Sequence, residues 1–184
     1  MIKSNTSPSD AIKENLETFC FEVGTEFEQY SKVQAARFVE FIGTKPVTDL
    51  GAGDGAGTGY FVINGNPVTA VDINPDKLDK IDGAMTVCRD IVSYLEASDG
   101  EANIFMHHVL EHIPNYEEVL SLISKKLNKG GYALIAVPKG DEPHSVHYVQ
   151  FDDPSEIIPE GLTVVDSWSA DGGWPELGII ARRD

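Results

Sequence analysis

The sequence predicts an α/β fold with a doubly wound, mostly parallel β-sheet, two N-terminal helices and a C-terminal antiparallel hairpin. Three observations support this prediction: strand and helix patterns alternate from residue 47 to residue 137, amphipathic segments precede them, and two apolar segments joined by a glycine-rich turn follow them. With 184 residues the chain is long enough to form one domain with its own core. We expect a disordered leader over residues 1–10 and a single domain over residues 11–184, with residues 11–43 as a helical cap.

Two helices are predicted in the cap, from Ala11 to Phe21 and from Glu26 to Ile42, with Gly24 between them. In the second helix, apolar residues recur at roughly helical spacing, namely Phe27, Tyr30, Val33, Phe38, Phe41 and Ile42. An amphipathic pair of this kind must bury its apolar face, so we expect it to pack on the rest of the domain.

From residue 47 the apolar pattern becomes that of short strands. Five are predicted, at Val47–Leu50, Val68–Asp72, Met85–Arg89, Ala102–Met106 and Tyr132–Val137. The last is almost continuously apolar, which is typical of a buried strand in a parallel sheet. Between the first two strands, only Thr58 to Ile63 is predicted to be helical, before a turn that ends at Pro67.

A further helix is predicted from Tyr116 to Asn128, where apolar residues form one face. Asn115 and Glu118 have the spacing of a capping box at its start. Lysines and the pair Gly130 and Gly131 mark its end.

Beyond Pro138 the chain is rich in loops and ends in two predicted strands, Leu162–Asp166 and Leu177–Ala181. A turn over residues 169–173 joins them into a hairpin at the edge of the sheet. Before the hairpin, the segment from Asp153 to Gly161 contains two prolines and leaves room for about one helical turn.

The composition restricts the classes of function. Only 14 basic residues stand against 30 acidic ones, so binding to a nucleic-acid backbone or to anionic lipid is disfavoured. No apolar run approaches the roughly 18 residues that span a bilayer, and the N-terminus lacks the apolar region of a signal peptide. Cys20 and Cys88 match no metal or redox spacing. We expect a cytoplasmic protein with reduced cysteines.

A glycine-rich turn follows the first predicted strand, from Asp49 to Gly55. Glycines there let main-chain atoms approach a ligand closely. Asp72 follows Asp49 by 23 residues, at the end of the next strand, where a carboxylate can accept hydrogen bonds from both hydroxyls of a ribose. Together these features favour an adenosine-type ligand over an ordinary loop.

The glycine spacing distinguishes between such ligands. A dinucleotide site has the pattern G-x-G-x-x-G, whereas here the glycines alternate as G-x-G-x-G after an acid, Asp49. An acid at that place would repel a pyrophosphate but suits an ammonium group.

The stretch from Val47 to Ile157 resembles the class I S-adenosylmethionine-dependent methyltransferases, which have a Rossmann-like fold. The resemblance rests on segments in the family's order, at residues 47–55, 68–74, 89–91, 103–113 and 129–138. It implies S-adenosylmethionine as cofactor and methyl transfer to a small or medium-sized acceptor by direct in-line displacement.

The resemblance also implies roles for single residues. The methionine portion would lie against Gly51, Ala52 and Gly53, with its amino group near Asp49. Asp72 would hold the ribose, Ile73 and Ile91 would lie beside the adenine, and Asp90 would bind the adenine amino group. From the residues alone, the alternative for Asp72 is a solvated strand end, and the alternative for Asp90 is a helix N-cap.

The histidines follow the fourth and fifth predicted strands, at the edge where open α/β sheets bind ligands. They are His107, His108, His112, His144 and His147. His107 is the candidate that binds near the cofactor methyl group and acts as a base or positions the acceptor; His147 is a candidate for the acceptor pocket. A structural role in ordering loops is the alternative for each histidine.

Two other functions compete with methyl transfer. His108, Glu111 and His112 match the H-x-x-E-H pattern of inverted zinc proteases. Pro114 follows so closely that only a single turn is expected, and similar letters occur in the methyltransferase family, so we expect no metal site. The chain also lacks a large insertion that could build an acceptor pocket, which leaves open a non-catalytic protein that binds S-adenosylmethionine or S-adenosylhomocysteine.

Overall fold

A seven-stranded β-sheet with helices on both faces organises the chain in a computed structural model that describes residues 6–18, 26–140, 146–171 and 175–184. The strands are β1 Val47–Leu50, β2 Val68–Asp72, β3 Met85–Cys88, β4 Ile104–His107, β5 Tyr132–Pro138, β6 Thr163–Ala170 and β7 Glu176–Arg182. The α-helices are α1 Pro8–Thr18, α2 Glu26–Ile42, α3 Ala56–Asn64, α4 Pro75–Leu78, α5 Ile91–Ala97 and α6 Tyr116–Lys126. Short 3-10 turns occur at Leu110–His112 and Pro154–Ile157.

The strand order is β3-β2-β1-β4-β5-β7-β6. The pairs among β1 to β5 are parallel, and β7 lies antiparallel between β5 and β6. The chain turns to opposite sides after β1 and after β4, so the carboxyl ends of these two strands flank a crevice. This arrangement confirms the predicted fold class, including the C-terminal hairpin at the edge of the sheet.

The core has one large apolar cluster on each face of the sheet and a small third one formed by Ala52, Ala70 and Leu78. Alternate residues of β4 point to opposite faces, because side chains in a strand alternate: Phe105 packs with Phe38 of α2 and Phe61 of α3, whereas its neighbours pack against α5 and α6 on the other face. None of the helices in the described ranges is both long and apolar enough to pass through a membrane.

The N-terminal prediction needs a correction. Helix α1 begins at Pro8, three residues before the predicted start, so residues 8–10 are not part of a disordered leader. Proline suits this position because the first turn of a helix does not need its N–H. The Ser7 hydroxyl accepts a hydrogen bond from the Asp10 N–H at 3.3 Å. Residues 1–5, and the predicted end of the helix at Phe21, lie outside the described residues.

The predicted bounds of α2, β1 and β2 are confirmed, and the other predicted elements lie within a few residues of their observed bounds. The short helix α4 was not predicted, and α5 was foreseen only through the alternative that Asp90 is a helix N-cap, which is confirmed. Each helix begins after a side chain that caps it, Asn74 and Asp90. The predicted capping box is wrong: the Asn115 amide donates to the Glu118 carboxylate at 2.6 Å, and the Asn115 side chain caps no backbone N–H of α6.

Candidate functional site

A pocket of about 290 Å³ opens at the carboxyl ends of the parallel strands. Its lining comes from Gly51 and Gly53 after β1, residues 72–74 and Lys77 after β2, residues 89–92 after β3, and His108, Val109 and residues 112–115 after β4. Helix α1 covers the pocket with Pro8, Ala11 and Ile12. The pocket lies where an open α/β sheet is expected to bind its ligand.

The glycine turn forms one wall. Gly51 has a positive φ of 78°, and a Cβ atom there would lie 2.4 Å from a methyl group of Val109. The Gly51 and Ala52 N–H groups donate to the Val71 carbonyl at 2.8 and 3.0 Å, which ties the turn to β2. Gly53 also has a positive φ and has open space where its Cβ would be. The turn therefore presents bare backbone to the pocket, as the sequence predicted for a ligand-binding loop.

Asp72, the last residue of β2, lies beside this turn in the pocket wall. One carboxylate oxygen accepts from the Gly53 N–H and the other from the Asn74 N–H, both at 2.9 Å. Each oxygen can accept a further hydrogen bond. The two backbone donors thus fix a carboxylate that can still bind hydroxyl groups inside the pocket.

Asp49 lies beneath the turn, and the pocket lining does not include it. It is 3 % exposed and accepts a hydrogen bond from the Thr58 hydroxyl at 2.7 Å. Burial raises the pKa of Asp49 to about 7; the Thr58 hydrogen bond opposes this shift and the charge of Asp72 adds to it. Its predicted place near a ligand ammonium group stays a prediction.

The other wall combines apolar side chains with one acid. Ile73 and Ile91 both line the pocket, together with Asp90. Asp90 caps α5, because its Oδ1 accepts from the Ser93 N–H at 3.0 Å. A cap and a ligand contact are compatible, since a carboxylate has two oxygens. Ala52, the remaining residue assigned to the cofactor by resemblance, is buried and does not line the pocket.

His107 is placed differently from the sequence-based expectation. Its side chain is 1 % exposed, and its ring stacks on those of Phe105 and His108, with centroid distances of 6.1 and 4.4 Å. His108, the next residue, lines the pocket and has a positive φ of 53°. The left-handed backbone at His108 turns this side chain to the ligand side while His107 stays in the sheet.

Glu176 on β7 organises both rings and was not identified from the sequence. One oxygen accepts from Nε2 of His107 at 2.9 Å and from Nε2 of His108 at 3.1 Å. The other accepts from the amide of Gln34 at 2.6 Å and from the indole of Trp168 at 2.8 Å. Burial alone would raise the pKa of Glu176, but the hydrogen bonds and charges of the two histidines outweigh it and hold that pKa far below its usual value. The signal in the sequence was an acid directly before the apolar run Leu177–Ala181.

The H-x-x-E-H pattern does not form a zinc-protease site. Residues 110–112 form one 3-10 turn, and Nε2 of His108 is hydrogen-bonded to Glu176. His112 lies instead beside Glu111 and His147, with Nε2 3.6 Å from a Glu111 oxygen and a ring-centroid distance of 4.8 Å to His147. The pocket lining does not include His147, and His144 lies outside the described residues.

Comparisons with known proteins agree with this architecture. The N-methyltransferase NodS from Bradyrhizobium japonicum WM9, in complex with S-adenosylhomocysteine, superposes with a TM-score of 0.75 at 16% identity, over 97% of this chain and 99% of NodS. A 1,6-didemethyltoxoflavin-N1-methyltransferase from Burkholderia thailandensis, with bound 1,6-didemethyltoxoflavin and S-adenosylhomocysteine, gives 0.72 at 24% identity, over 97% and 91%. TehB from Haemophilus influenzae gives 0.72 at 17% identity, and the match covers 83% of this chain but only 62% of TehB.

At these identities the superpositions establish the fold. No curated protein sequence gives a significant match. A family profile described as "Methyltransferase domain" matches residues 26–170, which is most of the chain and contains every strand from β1 to β6. The chain therefore belongs to the class I S-adenosylmethionine-dependent methyltransferases.

Proposed function

We propose that the pocket binds S-adenosylmethionine with its ribose on Asp72, and that the enzyme transfers the methyl group to a small-molecule acceptor. The observation that carries this proposal is the Asp72 carboxylate, fixed by the Gly53 and Asn74 N–H groups at 2.9 Å beside bare glycine backbone. At Gly53 the space that a Cβ would take is open, so a ligand can lie directly against the main chain there.

The two sides of the pocket match the two ends of this cofactor. Ile73 and Ile91 offer an apolar wall for the adenine, and the second oxygen of Asp90 is the acceptor for its amino group. The methionine portion would follow Gly51 and Gly53. Asp49 beneath them would then supply negative charge near the ammonium group.

The cofactor supplies an activated methyl group on a sulfonium, so no covalent enzyme intermediate is needed. The protein must hold donor and acceptor in line and exclude water, which can contribute up to about 7–11 kcal/mol. Helix α1 closes the pocket, and the hydroxyl of Tyr148 donates to the Glu14 carboxylate at 2.5 Å and holds this helix in place.

His108 replaces His107 as the candidate base. It lines the pocket, and its Nε2 donates to Glu176, so the neutral ring has the lone pair on Nδ1. Such a ring can accept a proton from an acceptor hydroxyl or amine as the methyl group arrives. The roles of His107 and His147 in positioning the acceptor stay predictions.

Two observations favour a small acceptor. The formal net charge of −16 opposes a nucleic-acid substrate. The Burkholderia relative is named a 1,6-didemethyltoxoflavin-N1-methyltransferase, and its structure contains bound 1,6-didemethyltoxoflavin.

The proposal is tested by calorimetric titration with S-adenosylhomocysteine, followed by an assay with methyl-labelled S-adenosylmethionine and a panel of small hydroxy and amino acceptors. We expect one binding site per chain and labelled product with at least one acceptor. A folded protein that binds neither form of the cofactor would overturn the proposal. Tight binding without product from any acceptor in the panel would support the non-catalytic alternative instead.

A further inference from the structure

Two groups of side chains among the described residues bring metal-ligating atoms together. In the first group, which is His107, His108 and Glu176, both histidines are hydrogen-bonded to the carboxylate. Both imidazoles direct their Nε2 protons at one oxygen of Glu176, whose other oxygen accepts from two further donors. A metal ion would have to displace these protons, so this group orients His108 and is not a metal site.

The second group is Glu111, His112 and His147. Here the ring nitrogen of His112 that donates a hydrogen bond is Nδ1 and not Nε2. A carbonyl oxygen only accepts, so Nδ1 of His112 must donate to the Val146 carbonyl, at 2.8 Å. The neutral ring then carries its lone pair on Nε2, which lies 3.6 Å from a Glu111 oxygen. A proton or a metal ion on Nε2 would each join this nitrogen to the carboxylate, and the position of His147 bears on which of the two it is.

The backbone holds this group together across the chain. The N–H groups of Tyr148 and Val149 donate to the Glu111 carbonyl at 2.8 and 3.2 Å. These bonds hold the segment that contains His147 next to the 3-10 turn that contains Glu111 and His112. The three ligating atoms lie within 4.8 Å of one another. Ligands at about 2.1 Å around one tetrahedral ion are separated by roughly 3.4 Å, so small side-chain rotations close the site.

Burial and second contacts also fit a metal site. Glu111 is 2 % exposed, so its carboxylate is held away from bulk water and gains much from a bound cation. Metal-binding histidines commonly donate their other N–H to a backbone carbonyl, which fixes the ring, as Val146 does for His112.

We propose that Glu111, His112 and His147 bind a divalent transition-metal ion at the rim of the pocket. Two imidazoles and one carboxylate favour zinc, cobalt, manganese or iron over calcium and magnesium. Three protein ligands leave coordination positions open, and His112 itself lines the pocket. The ion can thus polarise an oxygen or nitrogen of the acceptor; this role, but not the site itself, rests on the proposed function. The expectation of no metal site was drawn from the H-x-x-E-H motif, which does not include His147, 35 residues beyond His112.

The test is a titration of chelator-treated protein with Co²⁺, read by calorimetry and by the visible absorption of the bound ion. We expect one ion per chain, and His147→Ala and Glu111→Gln should each weaken its affinity by about tenfold or more. Glu117→Gln, an exposed position on α6, is the matched control and should bind Co²⁺ like the wild type.

Because Glu111 is buried, thermal melts must show that its variant folds; His147 is less buried and keeps the test valid if it does not. Wild type without stoichiometric Co²⁺, or His147→Ala with wild-type affinity, would overturn the proposal and leave a proton as the bridging cation. S-adenosylhomocysteine titration of the same variants separates the two proposals, since losing the metal site leaves the adenosine contacts in place.

Discussion

Replacing Asp72 with alanine tests the placement of the ribose. Each carboxylate oxygen of Asp72 already accepts one backbone N–H at 2.9 Å and can accept one ribose hydroxyl. A hydrogen bond to a charged group contributes about 1.5–3 kcal/mol. Losing one such bond should weaken binding by about 10- to 150-fold, and losing both should weaken it further. The substitution also removes the tether on Gly53, which acts in the same direction.

The assay is calorimetric titration with S-adenosylhomocysteine, with circular dichroism melts to show that each variant folds. Asp79→Ala is the matched control, because Asp79 is exposed, follows α4 and does not line the pocket. Asp72→Asn should give an intermediate loss, since an amide keeps one acceptor oxygen. A folded Asp72→Ala protein with an affinity within about twofold of the wild type would refute the reasoning.

Three further predictions concern the turn, the buried acid and the cover of the pocket. Gly51→Ala should lower both stability and cofactor affinity, because its Cβ would lie 2.4 Å from Val109 at a φ of 78°. Adding Val109→Ala should restore part of both. A Gly51→Ala protein that melts like the wild type would contradict this. Asp49 has a raised pKa of about 7 when folded, so its contribution to stability is complete below pH 3.8 and is lost as the pH rises through 7. Between pH 5 and pH 8 the free energy of unfolding, measured with urea, should fall by about 2–3 kcal/mol because of this group. Asp49→Asn should remove this fall, and identical pH profiles for the variant and the wild type would count against it. Tyr148→Phe deletes the 2.5 Å hydrogen bond to Glu14 and should speed cofactor release by about 2- to 12-fold in stopped-flow measurements, whereas an unchanged rate would show that α1 needs no such tie.

Much of the fold could be predicted because it depends on local patterns. The alternation of short apolar strands with helices required a layered α/β sheet, and the nearly continuous apolar run of β5 indicated a buried strand. The glycine turn and Asp72 were recognised for a related reason: β1 and β2 are parallel neighbours, so the residues that follow them meet at the same edge.

The parts of the site that escaped prediction depend on long-range contacts. Glu176 reaches His107 and His108 only because β7 inserts between β5 and β6, with Glu176 opposite Pro138. No local spacing reveals that register. Whether His107 or His108 lines the pocket depends on the positive φ of His108. Residues other than glycine adopt a positive φ rarely, and no sequence pattern indicated it here.

A crystal structure of the protein with S-adenosylhomocysteine tests the central claim most directly. We expect the adenine between Ile73 and Ile91, and both ribose hydroxyls within hydrogen-bond distance of the Asp72 carboxylate. Ligand density outside this pocket, or a ribose without contact to Asp72, would contradict the account.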